Sequence, residues 1–247
     1  MNARSGSSFV PIGPRRERTV PDRLAIEIGD RRTTALAYPA GSDRRMHATL
    51  VLAHGAGAGQ SSPFMVGFAS GLASRGLDVL TFNFLYSDQG RRLPDRTPAL
   101  EDCFRAAIET ARRHATFAGN ALFIGGKSMG GRIASQLAGD GATEIDGLVL
   151  LGYPLHPPGK LLQLRVAHLP KIRVPMLFVQ GARDPFGTPD ELRPHLDALA
   201  APVTLHVVEG GDHSLAPPRR GPLSVDRVYG GIQELITDWV RRVLQAR

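Results

Sequence analysis

Residues 126–130 read Gly-Lys-Ser-Met-Gly and match the pattern G-x-S-x-G, in which the central serine can act as a nucleophile. An apolar run precedes the match at 122–124, and apolar residues recur at helical spacing after it, at 133–138. Ser128 is therefore predicted on a tight turn between a strand and a helix, with its hydroxyl exposed at the end of a sheet. Side chains two residues before and after the serine would collide on such a turn, which favours glycine at both positions. The alternative is a chance match in a chain with 28 glycines, and the flanking strand and helix argue against it.

A serine hydroxyl is a poor nucleophile near neutral pH, so it needs a general base, which in turn needs an acid to orient it. Asp184 and His213 each follow a predicted strand, as Ser128 does, and each follows a different one. The carboxyl ends of the strands gather functional groups at one edge of an open α/β sheet. The three side chains are therefore predicted to converge at that edge.

Five other residues stay open as the acid or the base: Asp88, Asp146, Asp212, His54 and His156. Asp212 adjoins His213 in sequence, and a neighbouring side chain can rarely bend back to the ring. His54 is expected to shape its loop by hydrogen bonding, and His156 to line the mouth of the site.

The segment 54–59, His-Gly-Ala-Gly-Ala-Gly, follows a buried strand and can bring bare backbone N–H groups close to a ligand. A dinucleotide-binding loop is one interpretation of these glycines, but Gln60 stands where its third glycine would be needed. An oxyanion-binding loop, leading into a helix that begins near residues 62–63, fits the segment better.

Alternating strand and helix patterns predict the elements that position these groups. Strands are predicted at 48–53, 78–84, 122–124, 146–151, 176–180 and 203–208, of which the first two are expected to be buried, after a hairpin at 24–28 and 33–38. Helices are predicted at 64–74, 99–115, 189–199 and 224–244 and directly after Ser128, with a polar loop at 86–98 and an irregular segment at 152–174. This order predicts a three-layer α/β fold, with a mostly parallel sheet between helices and at most a small cap.

Composition excludes several classes of protein. Hydrophobic residues make up 42% of the 247 residues and charged residues 21%, as in a soluble globular protein, and no apolar run approaches the roughly 18 residues of a membrane span. The net charge of +7 comes from scattered arginines without interleaved aromatics, so no nucleic acid partner is expected. Cys103 is the only cysteine and lies on an apolar helix face, which excludes an internal disulfide and argues against a cysteine-based metal site.

The domain organisation follows from the same patterns. Residues 1–22 are polar and rich in arginine, and they are interpreted as a flexible leader without the apolar core of a signal peptide. Residues 23–247 are predicted to form one domain, and a cytoplasmic location fits the sequence.

Four motifs make the chain resemble the α/β-hydrolase superfamily over roughly residues 24–244: His-Gly-Ala at 54–56, the serine pentad at 126–130, Gly-Ala-Arg-Asp at 181–184 and Gly-Asp-His at 211–213. At finer grain it is similar to the small, nearly lidless, dienelactone-hydrolase-like group. The segments Gly-Gly-Lys-Ser-Met-Gly-Gly-Arg, Gly-Tyr-Pro-Leu-His-Pro-Pro-Gly and Asp-Pro-Phe-Gly also resemble a group that includes an animal subunit of a histone-acetyltransferase assembly.

This resemblance implies a role for each site residue. Ser128 would attack an acyl carbonyl, His213 would take its proton and return it to the leaving group, and Asp184 would hold the His213 tautomer. The resemblance also places the oxyanion donors at the backbone amides of Ala56 and Met129.

Four further side chains are considered for substrate binding. Tyr153 and His156 belong to the irregular segment after a strand, and Arg183 precedes the predicted acid. Arg183 is interpreted either as a surface charge or as a ligand for a substrate carboxylate. Lys127, unusual for its place before the serine, is interpreted either as a strut paired with an acid or as a group that favours anionic substrates.

The sequence thus predicts a serine hydrolase of esterase type that cleaves small or medium acyl esters through an acyl-enzyme and needs no cofactor or metal. The alternative is a non-catalytic protein-interaction module on the same fold. Substrate identity, the choice among ester, thioester, amide and acyl transfer, and the oligomeric state are left open.

Overall fold

A computed structural model describes residues 21–141 and 143–247 of the chain. The predicted leader lies outside this part except for its last two residues, and the first strand already begins at Asp22.

Within the described residues, eight strands form one sheet, in the order β1-β2-β4-β3-β5-β6-β7-β8. The strands are β1 (Asp22–Ile28), β2 (Arg31–Tyr38), β3 (Ala48–Ala53), β4 (Asp78–Phe82), β5 (Ala121–Lys127), β6 (Gly147–Leu151), β7 (Met176–Gly181) and β8 (Val203–Val208). β1 and β2 form the predicted hairpin, β2 runs antiparallel to β4, and all pairs from β4 through β8 are parallel. The predicted mostly parallel sheet is confirmed.

Six helices accompany the sheet in the described part of the chain: α1 (Pro63–Ala73), α2 (Leu85–Asp88), α3 (Thr97–Arg113), α4 (Met129–Asp140), α5 (Pro189–Leu196) and α6 (Val225–Gln245). α1 and α6 cover one face, while α3, α4 and α5 cover the other. The predicted three-layer arrangement follows from strands that are apolar on both faces. In β3, for example, Leu50 and Leu52 face one helical layer and Val51 and Ala53 face the other.

Several element boundaries differ from the prediction by a few residues. β4 ends at Phe82, not at 84, and the polar loop predicted at 86–98 contains part of α2, whose Leu85 and Tyr86 are buried. α3 begins two residues earlier than predicted, at Thr97, because Pro98 is well suited to the first turn of a helix.

Cys103 is buried on α3, in the core as predicted, and burial raises the pKa of its thiol to about 12. Its position therefore offers no thiolate for chemistry near neutral pH.

Candidate active site

Ser128 lies between β5 and α4 with a left-handed backbone, φ 52° and ψ −116°, so the chain turns sharply at this residue. The two glycines of the pattern are required by close packing. A Cβ added to Gly126 would lie 2.6 Å from the Ala53 carbonyl oxygen, and one added to Gly130 would lie 2.7 Å from the His54 carbonyl oxygen. Any side chain at either position would push the elbow away from β3, the neighbouring central strand.

His213 lies in the loop after β8, and its ring bridges the serine and an acid. Nε2 is 2.8 Å from Ser128 Oγ, and Nδ1 is 2.9 Å from Asp184 Oδ1 and 2.8 Å from Asp184 Oδ2. With the Nδ1 proton donated to the carboxylate, Nε2 is free to accept the proton of the serine hydroxyl. The Phe186 ring stacks on the imidazole at a centroid distance of 4.1 Å, which limits how far the imidazole can turn.

Asp184 follows β7 and is 1% exposed. Two donors bind its carboxylate in addition to the imidazole. Gln180 Nε2 donates to Oδ2 at 2.9 Å, and the Phe186 backbone N–H donates to Oδ1 at 2.8 Å. Gln180 is itself fixed, because its Oε1 accepts from the Tyr153 backbone N–H at 2.8 Å. No sequence pattern indicated that Gln180 and Phe186 bind the Asp184 carboxylate, because these contacts depend on how the loop after β7 folds back.

The rival acids lie elsewhere. Asp212 is exposed and accepts hydrogen bonds from the backbone amides of Ser214 and Ala216, at 2.8 and 3.1 Å. The Asp88 carboxylate binds side chains on β2 and at the end of β4, and Asp146 accepts from the Leu122 backbone N–H at the opposite ends of the strands.

His54 shapes its loop, as predicted, and is not placed to serve as a base. Its Nε2 accepts from the Phe84 backbone N–H at 3.2 Å, so Nδ1 carries the proton and donates to the Gly55 carbonyl at 2.8 Å. Burial lowers the pKa of His54, which keeps the ring neutral in this role.

The loop that His54 shapes lies directly against the elbow. A Cβ added to Gly55 would be 3.5 Å from the Ser128 Cβ, so the loop that leads to Ala56 packs closely on the elbow. Met129 is the first residue of α4, so its N–H has no partner four residues earlier within that helix. Both residues line the pocket beside the serine.

A pocket of about 620 Å³ opens over Ser128 and His213. Much of its wall is apolar and comes from Pro63, Phe64, Met65, Leu100, Pro154 and Phe186. An apolar wall with a few polar groups at one end is typical of a site for a small organic molecule.

A family described as alpha/beta hydrolase domain matches residues 46–241, which is well over half of the chain. The chain belongs to the α/β-hydrolase family.

Solved structures agree with this α/β-hydrolase assignment at the level of the fold. An alpha-beta serine hydrolase homologue from Coxiella burnetii has a TM-score of 0.70 at 18% identity, over 94% of this chain and 99% of that one. A dienelactone hydrolase from Anabaena variabilis has a TM-score of 0.71 at 18% identity, over 90% and 98% of the two chains. XC6422 from Xanthomonas campestris, described as an α/β serine hydrolase without lid, has a TM-score of 0.70 at 20% identity, over 93% and 98%. The predicted resemblance to this lidless, dienelactone-hydrolase-like group is confirmed, whereas the likeness to a histone-acetyltransferase subunit stays a prediction.

Of the four side chains considered for substrate binding in this α/β-hydrolase, Lys127 lines the pocket, whereas the other three lie outside its wall. Tyr153 is fully buried, and its hydroxyl donates to the Arg165 backbone carbonyl at 2.6 Å. His156 is 2% exposed and lies 3.4 Å from the Glu191 carboxylate on α5. Arg183 is exposed and donates to the Gly210 carbonyl at 3.0 Å, as its surface interpretation predicts. The structure therefore corrects the assignment of these three residues to the substrate.

Lys127 bonds to the backbone of the histidine loop, not to an acid. Its Nζ donates to the His213 carbonyl, and among the described residues no carboxylate lies within 4.0 Å of it. Burial lowers the pKa of Lys127 from 10.5 to about 8, while the charges of Asp184 and Asp212 act in the opposite direction. The lysine thus ties the backbone of the loop after β8 to the end of β5.

The pKa of Lys127 makes the stability of this α/β-hydrolase depend on pH. From about pH 8 to 10.5 the lysine is protonated in the unfolded chain and neutral in the folded protein. Folding therefore carries the full cost of burying a charged ammonium below pH 8, and this cost falls as the pH rises. Relative to Lys127→Met, the wild-type free energy of unfolding should rise across this window by up to about 3 kcal/mol. Urea denaturation of both proteins at several pH values measures the difference, and a flat or falling difference would contradict the assignment.

Two further features of the α/β-hydrolase concern membranes and metals. None of the helices in residues 21–141 and 143–247 combines the length and hydropathy that a membrane crossing requires. The same residues hold no cluster of three or more His, Cys, Asp or Glu side chains able to bind a metal ion.

Proposed function

We propose that this α/β-hydrolase is a serine esterase that cleaves small or medium acyl esters through an acyl-enzyme, with Ser128, His213 and Asp184 as its triad. Family membership supports a hydrolase. One observation supports the more specific assignment of a serine esterase with this triad. The imidazole of His213 lies within 2.9 Å of both the Ser128 hydroxyl and the Asp184 carboxylate, with each nitrogen facing one of them.

In the first half-reaction, Ser128 Oγ attacks the ester carbonyl while Nε2 of His213 takes the hydroxyl proton. The carbonyl oxygen becomes an oxyanion, and the amides of Ala56 and Met129 are assigned to stabilise it. One donor of this kind contributes roughly 2.7–4 kcal/mol to lowering a barrier in other enzymes. The C–O bond to the alcohol then breaks, the imidazolium gives its proton to the leaving oxygen, and the acyl group remains on Ser128.

In the second half-reaction, water replaces the alcohol. His213 takes a proton from the water, and the resulting hydroxide adds to the acyl carbonyl. The second oxyanion then collapses, the bond from the acyl carbon to Ser128 Oγ breaks, and the imidazolium returns its proton to Oγ, which releases the acid and regenerates the serine. Asp184 stays ionised throughout and stabilises the imidazolium that forms in both halves. Each proton is carried by these side chains, so the cycle requires no cofactor.

The pocket supports a substrate of limited size. Its volume of about 620 Å³ and its apolar wall suit an acyl chain or an aryl alcohol of moderate length. The segment 152–174 contains only a short 3-10 turn at Leu169–Lys171, so it is at most a small cap over the site.

Initial rates on p-nitrophenyl esters from acetate to decanoate test the proposal. The purified protein should hydrolyse the short and medium members fastest, with a pre-steady-state burst of p-nitrophenolate that approaches one equivalent per active site. If the folded protein hydrolyses no ester in the series above the buffer rate, the esterase assignment fails, and the interaction-module alternative gains support.

A further inference from the structure

Two arginines in the wall of the pocket have no role in the triad chemistry. Arg132 lies on α4 and Arg165 lies in the segment between β6 and β7, and both line the same cavity as Ser128. Both side chains are partly buried, unlike most of the arginines that give the chain its net charge of +7.

Each arginine is placed by contacts close to the elbow. Arg132 is one helical turn after the nucleophile, and its backbone N–H donates to the Ser128 carbonyl at 3.0 Å. Residues four apart share a helix face, so the Arg132 side chain starts on the side of the serine. The backbone of Arg165 is fixed by two bonds: its carbonyl accepts from the Tyr153 hydroxyl at 2.6 Å, and its N–H donates to the Leu155 carbonyl at 2.8 Å. The buried Tyr153 thus holds Arg165 at the pocket.

Neither guanidinium has an acid as partner. Among the described residues, no carboxylate lies within 4.0 Å of Arg132 or Arg165, which donate instead to the neutral acceptors Gln136 Oε1 and the Pro154 carbonyl, both at 3.3 Å. The acid in the pocket wall, Asp95, is bound at 2.6 Å by Arg91.

Partial burial of two like charges is unfavourable without a counterion. Burial lowers the pKa of Arg132, and the positive charge of Arg165 lowers it further, whereas Tyr153 and the Glu101 carboxylate, which lies beyond 4.0 Å, act in the opposite direction. A guanidinium presents N–H groups in a fork that matches a carboxylate. An anionic ligand between the two would relieve their repulsion and satisfy free donors.

We propose that Arg132 and Arg165 form a carboxylate-binding subsite, and that the preferred substrates are esters whose carbon chain also carries a carboxylate, such as half-esters of dicarboxylic acids. This inference rests on the proposed esterase function and names its substrate class. The ester carbonyl would lie at Ser128 and the free carboxylate at the two arginines, with the apolar wall around the connecting chain.

Matched substrates test the subsite: the monomethyl esters of succinate, glutarate and adipate, each compared with its neutral dimethyl ester. Initial rates of methanol release should give at least one pair in which kcat/KM favours the anionic ester about tenfold or more. Arg132→Gln and Arg165→Gln should each reduce that preference by about tenfold or more, down to near equality of the two esters, as expected for the loss of a hydrogen bond between charged groups. The control is Arg173→Gln, which removes an exposed arginine outside the pocket and should keep the wild-type preference. No preference in any pair, or a preference that both pocket variants retain, would overturn the subsite.

A binding measurement separates this inference from the esterase assignment. Calorimetric titration of the Ser128→Ala variant with monomethyl glutarate and with dimethyl glutarate should show tighter binding of the anion, weakened by adding Arg165→Gln. If this charge-dependent binding is found but the wild-type protein hydrolyses no ester, the function is wrong and the subsite stands. If neutral esters are hydrolysed and the anion binds no more tightly than the neutral compound, the subsite is wrong and the function stands.

Discussion

Ser128→Ala is expected to lower kcat for p-nitrophenyl esters by about 10⁴-fold or more, because no other hydroxyl can take the acyl group from the same place. Among the described residues, the Ser128 hydroxyl is the one that hydrogen-bonds to His213 Nε2, at 2.8 Å. Alanine tolerates the left-handed backbone at this position about as well as serine does, so the fold should survive the change.

Ser70→Ala is a matched control, since Ser70 is exposed on α1 and takes no part in the pocket wall. Its activity and the melting temperatures of both variants should stay close to the wild-type values. A Ser128→Ala protein that melts normally and keeps its esterase activity would show that Ser128 is not the nucleophile.

Asp184→Asn is expected to lower kcat by about 10⁴-fold while leaving KM much less affected. The amide is neutral and no longer stabilises the imidazolium, and its NH₂ group favours the tautomer in which Nδ1 accepts and Nε2 carries the proton. A protonated Nε2 cannot accept the proton of the Ser128 hydroxyl, which it faces at 2.8 Å. Steady-state kinetics of the purified variant measure the loss.

Asp212→Asn is the control for this second prediction, because Asp212 adjoins the histidine and is one of the three acids that sequence alone left as alternatives. Its Oδ1 accepts from two backbone amides, and an asparagine oxygen can do the same, so activity should change little. Equal losses in the two variants would point to disruption of the loop after β8. A large loss in Asp212→Asn alone would reverse the assignment of the acid.

The sequence predicted those parts of the site that depend on local backbone geometry. The elbow around Ser128 needs glycine at 126 because a Cβ there would lie 2.6 Å from the carbonyl carbon of Gly130 in the same turn, and Gly130 in turn packs against the backbone of β3 and the residue after it. The convergence of Ser128, Asp184 and His213 follows from their places after parallel strands, because the carboxyl ends of those strands meet at one edge.

The composition of the pocket wall could not be predicted in the same way. Tyr153 and His156 belong to a loop at the correct edge of the sheet, but whether a side chain faces the cavity or the core depends on long-range partners. Tyr153 turns inward to bind the Arg165 carbonyl, and His156 turns towards Glu191. Arg165, twelve residues after Tyr153, reaches the pocket instead, and no local pattern marks it.

The short helix α2 could not be predicted from the sequence for a related reason. Its only buried residues are Leu85 and Tyr86, too few to give a helical period, and the polar residues after them are typical of a loop.

The central claim, that His213 activates Ser128 for attack, is tested most directly by covalent labelling with a fluorophosphonate. The probe should attach to one residue of the wild-type protein, found by peptide mass spectrometry to be Ser128, and labelling should slow by orders of magnitude in the folded His213→Gln variant. An adduct on another residue, no adduct on the folded wild-type protein, or equal labelling rates in the two proteins would contradict the account.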